Sequence, residues 1–171
     1  MPNFDGSQRK GCFVIVDAQN LYHSAKELFG RGARIDFKKL RSRLVEDRDF
    51  MVVYSVAFMP ELREDTNALA RALFRMGYEV IPRVSEFSVQ LEQLFSTAQR
   101  FDLVCIGSGD SAFLPLVKQI KAASVPVEVF AFADSSSVDL RSLADRFVYL
   151  KTDVLIGDFP TLEAQVVGVE L

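Results

Sequence analysis

A chain of 171 residues fits one domain and can bury roughly two thirds of its unfolded surface. Hydrophobic residues make up 49% and charged residues 25%, which excludes a disordered chain, and no run reaches the roughly 18 to 20 apolar residues of a membrane span. The net charge of −3 argues against a protein that simply coats nucleic acid, yet suits an enzyme holding cations in an acidic pocket.

Residues 1–11 are polar, lack the apolar core of a secretion signal, and are expected to form a flexible lead-in. Residues 12–16 are an unbroken β-rich apolar run ending in Asp17, the pattern of a strand covered on both faces. A helix is expected over 21–29, stopped by Gly30. Asp36 is placed to cap a second helix that runs to about Glu46. Lys38, Lys39, Arg41 and Arg43 there form either a solvated face or an RNA track. A strand over 51–58 precedes a long helix over 61–76 that Gly77 ends, then a strand over 78–81. The helix over 86–99 carries Phe87, Leu91, Leu94, Phe95 and Ala98 as one apolar stripe. Further strands are expected over 103–106 and 127–132, with a helix ending near Ala123 between them. Asp134 and its serines are expected to cap a last helix over 137–145, and 147–150 suits a short sixth strand. Cys12 and Cys105 lie inside strand-like runs, which predicts buried free thiols and a reducing cytoplasm.

Strands alternating with helices imply βαβ crossovers and a mostly parallel sheet. Right-handed crossovers then put the loops after the strands on one edge, where such sheets bind ligands. Asp17 follows the first strand and Asp110 the fourth, so both reach that edge. Glu92 flanks the apolar stripe of the helix before strand four, and Glu86 sits at its start. Six residues separate the two, so they converge only if Glu86 lies just before the first turn.

Gathered carboxylates repel by roughly 4 kcal/mol per pair at about 4 Å, taking an effective dielectric of about 20. A divalent cation with oxygen ligands offsets that repulsion. His23 is the lone histidine, which disfavours zinc and leaves Mg²⁺ or Mn²⁺ as the expected cofactor, an ion suited to phosphoryl transfer. Position 19 is Gln, so a dehalogenase-type Asp-x-Asp is absent, as are a Walker loop and a Gly-x-Gly-x-x-Gly fingerprint.

Val16-Asp17-Ala-Gln-Asn20-Leu21 resembles the Asp-x-x-Asn-Leu opening of NYN-domain proteins, relatives of the PIN-domain nucleases. Ile106-Gly-Ser-Gly-Asp110-Ser-Ala-Phe113 is similar to that family's Ser-Gly-Asp-Ser-Asp-Phe. Arg83-Val-Ser-Glu86 and Glu92 match the spacing of its Lys-Gly-x-Asp and following helical Asp, with like charges. The resemblance spans about 12–150 and leaves 151–171 as a tail. It implies a three-layer α/β/α sandwich of PIN-like (Rossmannoid) topology, with strand order 3-2-1-4-5.

The resemblance further implies metal-dependent cleavage of RNA, and single-stranded RNA is the expected partner. Asp17, Glu92 and Asp110 would be catalytic, and together with Glu86 would hold the metal. Asn20, Ser108 and Ser111 would position phosphate or water, and Arg83 would contact phosphate. Ala112 stands where the family often has a second aspartate. That departure keeps two alternatives open: a pseudo-nuclease that binds RNA or a protein without cutting, and a small-nucleotide phosphatase. The tail from Asp153 has two open roles, covering a sheet edge or pairing two copies in a homodimer.

Overall fold

The computed structural model describes residues 9–60, 67–133, 136–157 and 159. In chain order the elements are β1 (Lys10–Asp17), α1 (Ala18–Phe29), α2 (Phe37–Val45), β2 (Phe50–Met59), α3 (Asn67–Arg75) and β3 (Glu79–Pro82). There follow α4 (Phe87–Ala98), β4 (Leu103–Gly107), a 3₁₀ turn (Ser111–Phe113), α5 (Leu114–Ala122), β5 (Val127–Ala131), α6 (Val138–Leu143) and β6 (Arg146–Tyr149). The strands form one sheet in the order β3-β2-β1-β4-β5-β6, and every pairing is parallel. The order implied by the resemblance is therefore present, extended by β6 at one edge.

Along β1, Cys12, Val14 and Val16 enter one apolar cluster, with Leu21, Leu40 and Leu73 from α1, α2 and α3. Phe13 and Ile15 enter the opposite cluster, with Leu94, Leu116 and Leu140 from α4, α5 and α6. Alternate side chains of a strand face opposite ways, so an unbroken apolar run is what a centre strand between two helical layers requires. The chain winds outward from β1 to β3 on one face, then crosses to β4 and continues on the other. Its switch point lies between β1 and β4, the place where open sheets leave a crevice at the strand ends.

Several boundaries depart from expectation for local reasons. Lys10 and Gly11 belong to β1 rather than to a lead-in, paired with Phe50 and Met51. Of the expected 61–76 helix, 61–66 lie outside the described residues, and Gly77 ends α3 at φ +90°, a left-handed conformation suited to glycine. Asp134 and Ser135 also lie outside the described residues, so their capping role does too. Helix α6 stops at Leu143, short of the expected Asp145. The amide of Asp145 donates to the Val127 carbonyl at 2.9 Å, and its Oδ2 accepts the Val127 amide at 2.8 Å. Those bonds lead the chain out of the helix and into β6.

The described part of the tail packs against the α1–α2 layer. Val154 and Leu155 are buried there, and Leu155 bridges Ile35 in antiparallel fashion. Cys12 and Cys105 are free, buried thiols with their sulfurs 3.7 Å apart.

Candidate active site

Asp17 ends β1 and caps α1: its Oδ1 accepts the Asn20 amide at 3.1 Å. Asp110 follows β4 and caps the 3₁₀ turn, its Oδ1 accepting the Ala112 amide at 2.9 Å. Each aspartate thus spends one oxygen on a backbone donor, which fixes the carboxylate plane, and turns the other toward the crevice. There one atom meets both. Arg83 Nη1 donates to Asp17 Oδ2 at 3.3 Å and to Asp110 Oδ2 at 3.2 Å.

The loop after β4 is held to α1 as well. Asn20 Oδ1 accepts the Gly109 amide at 2.9 Å, and Ser108 Oγ, fully buried, accepts the Asp110 amide at 3.1 Å. These contacts make Asn20 and Ser108 shapers of the loop that carries Asp110. Gly107, at the end of β4, lies against the Phe130 ring so closely that an added Cβ would fall 2.4 Å from it. Ser111 is exposed at the start of the 3₁₀ turn. Ala112 is half-buried and packs against the apolar cluster that contains Phe113.

Burial pushes the Asp17 carboxyl above its usual range, and the nearby Asp110 charge adds to the rise. The Asn20 amide and the Arg83 guanidinium act in the opposite sense without cancelling it. Asp17 is 4% exposed, so loss of hydration dominates.

Glu86 and Glu92 do not join this pair. Glu86 does lie just before α4, as convergence required, but its side chain makes no capping hydrogen bond. Both glutamates are exposed and neither lines the crevice. The stripe of Phe87, Leu91, Leu94 and Ala98 is buried against the sheet, which turns the positions between outward. Two solvated carboxylates there avoid the repulsion that clustering would impose. Among the described residues no group of three or more His, Cys, Asp and Glu could hold a metal ion.

The crevice has a volume of about 300 Å³ and is lined by Asp17, Arg83 and Asp110 with Gln19, Asn20, His23, Ser24 and Glu27. The motifs pass over Gln19, His23, Ser24 and Glu27. A helical signal was present nonetheless, because Asn20, His23, Ser24 and Glu27 recur at i, i+3, i+4 and i+7 and so share one face of α1. The basic face of α2 is partly absorbed by the fold: Arg41 lies over the Tyr78 ring, and Arg43 pairs with Asp153 at 3.0 Å.

Donor chemistry allows one hard cation and does not provide for two. Asp17 Oδ2 and Asp110 Oδ2 converge, and a Mg²⁺-sized ion can be held by two carboxylates when water and substrate phosphate complete its shell.

A family model described as the NYN domain matches residues 12–151. Among solved structures, the chain is similar to a protein of unknown function from Vibrio parahaemolyticus, with 23% identity and a TM-score of 0.71. That likeness covers 88% of this chain and 98% of the other, and at such identity it shows the fold alone. No curated protein matches the chain.

Proposed function

Because the chain belongs to the NYN-domain family, whose fold is of the PIN-like nuclease type, we propose that it is a divalent-metal-dependent ribonuclease acting on single-stranded RNA. The observation that carries this reading is the convergence of Asp17 Oδ2 and Asp110 Oδ2 on one cationic nitrogen at the sheet's switch point. In this reading the two aspartates hold a single Mg²⁺ or Mn²⁺. Glu86, just before α4, and Glu92 on it are exposed and take no part in holding it. Such an ion, when bound, polarises a phosphate oxygen and acidifies a water molecule.

The chain's own groups do the rest. The caps on Asn20 and Ala112 keep both Oδ2 atoms aimed into the crevice. Asn20 and Ser108 fix the spacing between β1 and the β4 loop through the Gly109 and Asp110 amides. Arg83 offers a planar fork of donors suited to a phosphodiester. His23 and Gln19, whose side-chain nitrogens lie 3.5 Å apart, present polar groups along the crevice wall.

The test is cleavage of end-labelled single-stranded RNA by the full chain in Mn²⁺ and in EDTA, with Asp110→Asn alongside. Asparagine keeps an oxygen for the Ala112 amide and removes the charge. Cleavage in Mn²⁺ alone, lost in that variant, is the expected result. One observation favours binding without cleavage, namely that Arg83 already sets a positive charge between the two acids. RNA retention with no products at any Mn²⁺ concentration would establish that reading instead, and turnover of mononucleotides alone would establish a phosphatase.

A further inference from the structure

Arg83 is held more firmly than a residue that merely awaits a phosphate. Its amide donates to the Met59 carbonyl at 2.7 Å, and its guanidinium carbon lies 4.0 Å from the centroid of the Phe87 ring. Phe87 is itself fixed, edge-on to Phe58 and Phe113 at 5.2 and 5.3 Å between centroids. The guanidinium therefore has a packed aromatic face on one side and the Asp17 and Asp110 Oδ2 atoms on the other. Those are the oxygens a divalent ion would need, because each Oδ1 already accepts a backbone amide.

A guanidinium nitrogen and a dication cannot both occupy the place between these two oxygens, since like charges at such distances repel strongly. We infer that Arg83 is the resident cation of the site and competes with the divalent ion for Asp17 and Asp110. It yields that place when an anionic phosphodiester draws its fork away, so metal and substrate phosphate load together. This deepens the ribonuclease reading and rests on it. By linkage, the factor by which the phosphodiester tightens metal binding equals the factor by which metal tightens the phosphodiester. Without RNA, the arrangement offsets part of the acid pair's charge and keeps the metal weakly held.

The experiment is Mn²⁺ binding by calorimetry and electron paramagnetic resonance to the full-length wild type, Arg83→Gln and Arg83→Lys. Each is measured with and without a short single-stranded DNA oligomer, after circular dichroism melts confirm folding. Without oligomer, Arg83→Gln should bind Mn²⁺ about tenfold tighter than wild type, and the oligomer should tighten the wild type by a similar factor but not the variant. Adding Asp110→Asn to Arg83→Gln should remove the gain. Arg83→Lys retains charge but loses the fork and should fall between the two, which keeps the test decisive if Arg83→Gln does not fold. The inference is overturned if the folded variants bind Mn²⁺ no tighter than wild type, or if the oligomer leaves wild-type Mn²⁺ affinity unchanged. RNA cleavage is scored separately. An active wild type with no Arg83 effect on Mn²⁺ sinks this inference alone, whereas the expected Mn²⁺ pattern with no cleavage sinks only the ribonuclease reading.

Discussion

Asn20 on the first helix accepts the amide of Gly109 at 2.9 Å, joining α1 to the loop after β4 at the point where Asp17 and Asp110 face each other. Asn20→Ala should cost about 1–2 kcal/mol by leaving the partly buried Gly109 amide unsatisfied. Urea denaturation will read that loss. Because the Asp110 loop also loses its tether, cleavage should drop by a larger factor than stability alone explains. Equal rates in the folded variant would show that the tether is irrelevant to the site.

Asp17 has a folded-state carboxyl raised above 3.8, chiefly by burial. Well below 3.8 the folded and unfolded chains are both protonated there, and the group contributes nothing to pH dependence. As pH rises through 3.8 the unfolded chain releases its proton first, so stability falls until the raised folded value is passed, and then levels off. Asp17→Asn removes that loss. In EDTA its urea midpoint should exceed that of wild type near neutral pH, with the gap closing as pH drops toward 4. A midpoint below that of wild type at neutral pH would mean that the bond to Arg83 outweighs burial.

Gly107→Ala places a methyl group 2.4 Å from Phe130 Cε2 and 3.2 Å from Val16 Cγ1. Both neighbours are fully buried, so neither ring nor branch can step aside freely. A cost of about 1–3 kcal/mol is expected, the usual range for overpacking a filled core. Thermal melts of the variant should show it, and Phe130→Leu in the same chain should recover part of it.

Glu128 lies on β5 at 6% exposure, clamped by Arg48 through Nη1 at 2.7 Å and Nη2 at 2.8 Å. Arg146 Nη1 reaches it at 3.5 Å. Arg48→Met strips the two short bonds from a buried charge, for which a loss of about 3–5 kcal/mol is typical. The remaining arginine should hold the effect to the lower part of that range. Replacing Glu128 with Gln in the same chain should restore much of the stability, and chemical denaturation of the single and double variants will decide.

What the sequence makes legible here depends on whether a residue's position follows from its own element. The apolar run before Asp17 needs two covering layers, and the Asp17 and Asp110 positions follow from strand direction alone. The stripe from Phe87 to Ala98 likewise names its own buried face. Glu86 and Glu92 lie beyond that reach. Spacing along α4 fixes the angle between them but not the roll of the helix, which the aromatic packing of Phe87 on Phe58 decides. Arg83 is similar: the resemblance implies a phosphate contact for it, while its bridge between two aspartates depends on where three separate segments meet. Ala112 illustrates the limit from the other side. The motif marks it as a missing ligand, and its packing against the Phe113 cluster appears only once the 3₁₀ turn is in place.

The position of β1 has a consequence for how the molecule comes into being. Of the described strands, β1 is made before the other five and becomes an interior strand of the sheet, with β2 on one side and β4 on the other. Its second neighbour, Leu103–Gly107, is synthesised much later, after the whole of β2, α3, β3 and α4. Contacts so distant in sequence slow folding, because chain entropy is lost well before the strands can pair. Until β4 arrives, β1 has an unpaired edge of mostly apolar residues, a template for association with other chains. Asp17 also lacks its opposing carboxylate until then, since Asp110 and the Gly109 amide follow that same strand. The lining residues that precede β4 therefore lack their second aspartate until then, and the protein acquires its acid pair only when β4 joins the sheet beside β1.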